Sequence, residues 1–380
     1  MGAQTATGVA ERRAALNWML RDIHALEHLL ENEMFETGNP RIGAEQEFFL
    51  VDRAWQPSPT ALEMLEVIDE PHFTTEIGAF NLEVNLDPQP FAGSCFSDMH
   101  AQLDELLALA RRAGHRLEKE IVLTGILPTR RMSSLALSNM VQNPRYLALN
   151  QALLDLRGED LHVQISGADE LHVRQESVMA EACNASFQVH LQVAPADFAN
   201  LYNAAQLLAG PTLACATNSP ILFGKQLWAE TRIPLFEQSV DTRRSGHSLR
   251  QRSGRVTFGT DWVRESVAEL FKEDITRFRP LLAPDSHEDP FDVLARGEIP
   301  DLAAVRMHTG TVWRWNRACY GVMDGVPHLR IENRVLPSGP TTADEMANAA
   351  LWLGLMRGIG AQHPEVSRMT EFATTRYNFV

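Results

Sequence analysis

The sequence predicts an α+β fold built on an antiparallel sheet, and three observations carry that expectation. Four stretches, at residues 41–52, 81–86, 185–193 and 328–336, set apolar and polar residues on alternate faces at strand period. Longer stretches, among them 11–35, 97–120 and 341–360, read instead as helices. Between 161 and 175 two short alternating segments flank Gly167-Ala168-Asp169, the signature of a hairpin and therefore of antiparallel pairing.

Composition narrows the function. At 380 residues, with 44% hydrophobic and 22% charged content, the chain can bury a sizeable core and is not globally disordered. A net charge of −15 argues against a nucleic-acid binder, which needs a basic face. Cys95, Cys183, Cys215 and Cys319 show no ligand or C-x-x-C spacing, which points to a reduced, cytoplasmic protein. No run of 18 apolar residues and no export signal occurs, so neither membrane spanning nor secretion is expected.

The first 40 residues read as an N-terminal helical extension, with Leu16, Met19, Leu20, Ile23, Leu26, Leu29 and Leu30 forming an apolar stripe; residues 41–380 read as the catalytic domain. In Arg41–Asp52 the strand period places Gly43, Glu45, Glu47 and Phe49 on one face, the two glutamate Cα atoms roughly 7 Å apart. Neighbouring carboxylates repel, so this face is either solvated or holds a cation. In Asn81–Leu86, Glu83 lies between Asn81 and Asn85, opposite Leu82, Val84 and Leu86. Helices are predicted over 97–120 and 143–156, with a short apolar strand at 121–124.

In Ala185–Val193, Phe187, Val189, Leu191 and Val193 form a core face, and His190 sits between Gln188 and Gln192 on the other. That histidine is either structural or a ligand on the same sheet face as the glutamates. Pro195 and Gly210 bracket a predicted helix. Asn218-Ser219-Pro220 marks a turn, and Arg232 follows it. Residues 241–259 carry Arg243, Arg244, Arg250, Arg252 and Arg255 among serines and glycines, a solvated loop or a lid over an anion. Residues 280–301 read as Pro- and Asp-rich connection. In His328–Leu336 the chain sets Arg330, Glu332 and Arg334 on one face, either an ion-pair ladder or a metal ligand between two phosphate clamps. Thr341 then caps a helix that carries Asp344 and Glu345 in its first turn.

The G-x-E-x-E strand, the Glu76 and Glu83 spacing, the S-x-Q-V-H strand, the Asn218-Ser219-Pro220 turn with Arg232, and the E-N-R strand together resemble the glutamate–cysteine ligase type 2 family of carboxylate-amine ligases. The likeness spans about Arg41 to Gly360, and its specificity lies in the ordered set. It implies a glutamine synthetase and guanido kinase type of sheet, cupped around the active site with helices on its outer face. By resemblance, Glu45, Glu47, Glu76, Glu83, His190 and Glu332 hold divalent metal, Mg²⁺ or Mn²⁺. Arg232, Arg330 and Arg334 would contact the phosphates of ATP, and Glu332 and Arg334 would be catalytic. The substrates implied are glutamate and an amine such as cysteine, in a possible homo-oligomer. The sequence ends within a predicted helix at Tyr377-Asn378-Phe379-Val380, earlier than the family pattern.

Chemistry gives an independent reason for these residue types. Joining a carboxylate to an amine requires activation, and phosphoryl transfer is mainly a matter of positioning and charge neutralisation. No G-x-x-x-x-G-K-[ST] loop occurs, so metals and arginines on a sheet must hold the phosphates. Two alternatives share these residues: a guanido-kinase-like phosphotransferase and a non-catalytic metal- and nucleotide-binding protein.

Overall fold

The computed structural model describes residues 3–5, 8–243, 254–284 and 286–380. Its centre is an eight-stranded sheet formed by β1 (Arg41–Val51), β2 (Phe73–Thr75), β3 (Asn81–Asn85), β4 (Gln89–Pro90), β5 (Glu120–Val122), β6 (Phe187–Val193), β7 (Asn316–Met323) and β8 (Val326–Asn333). The spatial order is β7-β8-β6-β1-β3-β2, with β4 and β5 on β1, and every pairing is antiparallel. The sheet curls into a half-barrel, as the sequence leads one to expect.

Alternation decides which face is covered. Ile42, Ala44, Phe48 and Leu50 of β1 join Leu82, Val84, Val189, Leu191 and Ile331 in one apolar core. Against that face pack α1 (Val9–Glu31), α2 (Cys95–Arg116), α3 (Phe198–Ala216) and α4 (Thr342–Gln362). The one polar member of this β1 face is Gln46; its amide donates to Glu47 O and Ser338 Oγ, so its burial is partly compensated. The opposite face carries the predicted acids. The hairpin at Leu161–Ser166 and Glu170–Gln175 and the helix Arg232–Ser239 belong to a second apolar cluster, which also takes Phe372 and Phe379 of α5 (Phe372–Phe379).

Several elements differ from the sequence expectations. The predicted stop at Gly210 is passed: α3 runs on through Pro211 to Ala216. Gly210 serves packing instead, since a Cβ there would lie 2.8 Å from the Asn378 carbonyl oxygen. In α1 the buried stripe is Ala15, Met19, Ile23, Leu26 and Leu29, while Leu16 and Leu20 stay exposed. The connection at 280–301 contains a helix, Pro290–Ala295, capped by Asp289 accepting from Phe291 N. Of the arginine-rich loop, residues 244–253 lie outside the described residues. Arg255 is a core residue and not part of a lid: it is 1% exposed and donates to Thr311 O, Thr311 Oγ1 and Arg279 O.

Candidate active site

Register builds the site row by row across the concave face. Arg317, Glu332, His190 and Gly43 form one row over β7, β8, β6 and β1. The next places Gln188, Glu45 and Asn85 side by side, and the following one pairs Glu47 with Glu83. Because the strands alternate, these side chains leave the sheet on the same side. Gly43 has open space where a Cβ would stand, so the floor between His190 and Glu45 carries no side chain.

Six predicted ligands fall into two groups. Donor atoms of Glu45, His190 and Glu332 lie within 4.8 Å of one another, and so do those of Glu47, Glu76 and Glu83. In the first group His190 Nε2 is 3.0 Å from Glu45 Oε1, and His190 Nδ1 is 4.0 Å from Glu332 Oε2. His190 is 9% exposed and faces the acids, not the apolar core. Burial pushes the Glu45 carboxyl upward, but its contact with His190 outweighs this and the net shift is downward.

Glu332 is fully buried and held by three donors: Arg317 Nη2 at 2.6 Å, Cys319 Sγ at 3.1 Å and Arg334 Nη1. Burial alone would raise its carboxyl, yet the Arg317 and Arg334 charges hold it far below the ordinary carboxylate range. The neighbouring Cys319 thiol is pushed up to about 11 by burial and by Glu332, so it remains a neutral donor.

The second group behaves oppositely. Glu47 accepts from Ser186 N at 2.7 Å, Ser186 Oγ at 2.8 Å and Gln188 Nε2 at 2.8 Å, yet burial still raises its carboxyl. Burial and the Glu45 and Glu47 charges push Glu83 to about 8, although Asn85 donates to it at 2.9 Å. Glu76 is raised well above its ordinary value by burial, then by Glu83 and Glu47. Glu181, from the 3₁₀ turn Val178–Cys183, is likewise raised to about 8 by burial and Glu47. Facing carboxylates that all resist ionisation are what a multivalent cation relieves. The donor set of oxygens with one imidazole suits a hard ion such as Mg²⁺ or Mn²⁺.

The arginines separate. Arg334 follows the end of β8 and binds Glu332. Arg232 sits behind it, only 4% exposed, with Nη1 on Glu230 Oε1 at 3.1 Å and Nη2 on Arg334 O at 3.2 Å. Its guanidinium thus supports the backbone of Arg334. Arg330 lies at the other end of the face, lining with Arg41 and His328 a cavity of about 200 Å³ that reaches Glu45 and His190. Sequence reasoning passed over Arg317, Cys319 and Glu181. The first two alternate with Ala318 and Tyr320 and could have been found by strand period.

A family model for glutamate-cysteine ligase family 2 matches residues 41–364. No curated protein matches the sequence. Among solved structures, the chain resembles a glutamate–cysteine ligase from Francisella tularensis in complex with AMP. The TM-score is 0.52 at 10% identity, over 91% of this chain and 71% of that one. It also resembles a bifunctional glutathione synthetase from Pasteurella multocida, with a TM-score of 0.50 at 12% identity over 94% of this chain. It spans 43% of that enzyme's length. These likenesses establish the fold.

Proposed function

The chain belongs to glutamate-cysteine ligase family 2, and from that premise we propose that it is an ATP-dependent carboxylate–amine ligase acting at the concave face of the sheet. The observation that carries the reading is the pair of adjacent acidic groups with Arg334 between them and Arg317 flanking the first. Glu45, His190 and Glu332 would hold one divalent cation, and Glu47, Glu76 and Glu83 a second. Such ions would supply positive charge to neutralise the phosphates.

The chain's own residues account for the rest. The cavity lined by Arg330, Arg41 and His328 opens beside the first group and would give the polyphosphate a route in. Arg334 lies near acids of both groups, and its planar fork would meet the oxygens of the transferring phosphoryl group. Arg232, pairing with Glu230 and the Arg334 carbonyl, fixes that fork in place. The substrate carboxylate, which we take to be the γ-carboxylate of glutamate, attacks the γ-phosphorus and ADP leaves. The amine, cysteine or another amino acid, then attacks the acyl carbon and phosphate leaves.

The test is ADP release from pairs of amino acids with Mg²⁺ or Mn²⁺, with products read by mass. ADP formation requiring both acid and amine, with an amide product, supports the ligase. A released phosphorylated amine would instead establish the phosphotransferase, and nucleotide binding without ADP under any mixture a non-catalytic binder.

A further inference from the structure

Away from the cleft, a cavity of about 600 Å³ lies between the first turns of α1, the end of the helix Ala268–Arg277 and residues 242–243. Arg12, Arg13, Arg243, Arg255, Arg277 and Arg279 line it, and among the described residues no acidic side chain does. In a chain with 49 acidic residues against 34 basic ones, this lining reverses the charge locally even after Asp241 pairs with Arg243 at 2.8 Å and Glu273 with Arg277 at 3.2 Å. We propose that this cavity is a second anion site, for a nucleoside polyphosphate.

Three observations support it. Arg255 forms an inner wall, its guanidinium fixed by Thr311 and the Arg279 carbonyl. At the rim Arg13 and Arg279 are exposed, and neither side chain bonds to another described residue. Arg243 is half-buried, oriented by Asp241 through Nε at 2.9 Å. Planar forks at several heights suit phosphate oxygens better than a single carboxylate.

Second, Arg13 stands near the N-terminus of a 23-residue helix, where the macrodipole disfavours cations. A bound anion turns that arrangement favourable. Third, Leu16, Leu156 and Phe278 supply an apolar wall beside the arginines, and the volume lies in the range of small-molecule sites. Phosphate on the forks and a base against that wall account for both halves of the lining. Arg13, Arg255 and Arg279 carry no carboxylate partner among the described residues, so they can hold phosphate without a divalent cation, unlike the cleft, and the inference stands apart from the ligase reading.

That difference gives the experiment. ATP is titrated calorimetrically into the full chain in EDTA, with tripolyphosphate as the comparison. One saturable site is expected, tighter for ATP than for tripolyphosphate. It should weaken on the order of 10-fold or more in Arg13→Ser/Arg279→Ser, and less in Arg13→Lys/Arg279→Lys, which keeps charge without the fork. Arg334→Gln, in the cleft, should leave it unchanged. The proposal is overturned by any of four results: no saturable binding in EDTA, equal binding by the Ser variant with its fold intact, tripolyphosphate matching ATP, or loss of binding in Arg334→Gln.

Discussion

Glu332 shows how much a single buried charge reveals. A carboxylate fully removed from water is held ionised by Arg317, Arg334, His190 and the Cys319 thiol, so it exists at the expense of a dedicated set of partners. If that set serves turnover, Arg334→Lys should lower kcat for amine-dependent ADP release by roughly 10²- to 10³-fold, because the bidentate fork is lost while the charge stays. Unchanged turnover with a lowered Tm would leave Arg317, Glu332 and Arg334 as a charged ladder. Glu332→Gln is expected to fold less stably, since two partly buried guanidinium groups lose their counter-ion. In the second group the carboxyls already resist ionisation, so removing one leaves less repulsion. Glu47→Gln, despite that relief, keeps one acceptor oxygen and loses the other, so the fold should persist with a somewhat lower Tm while Mn²⁺ binding weakens at least tenfold, read by calorimetry. Undiminished Mn²⁺ affinity would reject the ligand assignment. Glu45, Glu47, Glu83 and His190 were legible because each alternates against apolar neighbours on a strand. Glu181 was not, because it comes from a 3₁₀ turn that carries no period. Arg232 was legible as a candidate but not as a support for Arg334, since that role depends on contacts about 100 residues apart.

At the scale of elements, strand period read the sheet well, because a face that must be buried forces alternation. Helix ends were read less well. Gly210-Pro211 looks like a terminator, yet the surrounding apolar surface of α3 keeps the helix going for six residues past Gly210. The glycine is needed for a different reason: α5 passes so close that its Asn378 carbonyl occupies the place of a Cβ. Helix propensity alone would make Gly210→Ala stabilising by about 1 kcal/mol. The clash is with backbone, which cannot rotate away, so we expect the variant to lose about 1–3 kcal/mol and to loosen Phe372–Phe379. Thermal unfolding with hydrogen exchange across α5 reads both. A higher Tm with unchanged protection would show that the close approach relaxes without cost.

For the whole molecule, the question is how the first 40 residues join the rest. The sequence suggested a helical extension set apart from a catalytic domain, and that boundary remains a proposal. The packing shows α1 sharing its buried face with the sheet's outer core, through Met19, Ile23, Leu26 and Leu29. It is also tied by a polar bond that no periodicity could announce: Asp22, 1% exposed, accepts from Ala304 N at 2.9 Å and Val305 N at 3.0 Å. Burial raises the Asp22 carboxyl to about 7, against the pull of those two amides. A carboxyl raised on folding favours the protonated native state, so its contribution is fully present below about pH 4 and is lost as pH rises through 7. Asp22→Asn keeps an acceptor for the amides and removes the titration. His287 Nε2, 3.6 Å from Asp22 Oδ1, is pushed down by burial and contributes with the opposite sign, present above its ordinary 6.5 and lost as pH falls. Comparing variant with wild type at each pH largely cancels that histidine. The variant's stability relative to wild type should therefore increase by about 2 kcal/mol between pH 5 and pH 8, levelling off above. A difference that stays flat across this range would mean that Asp22 is already ionised in the folded chain, and that α1 is anchored by a charged cap on the helix Ala303–Thr309 and not by a neutral acid.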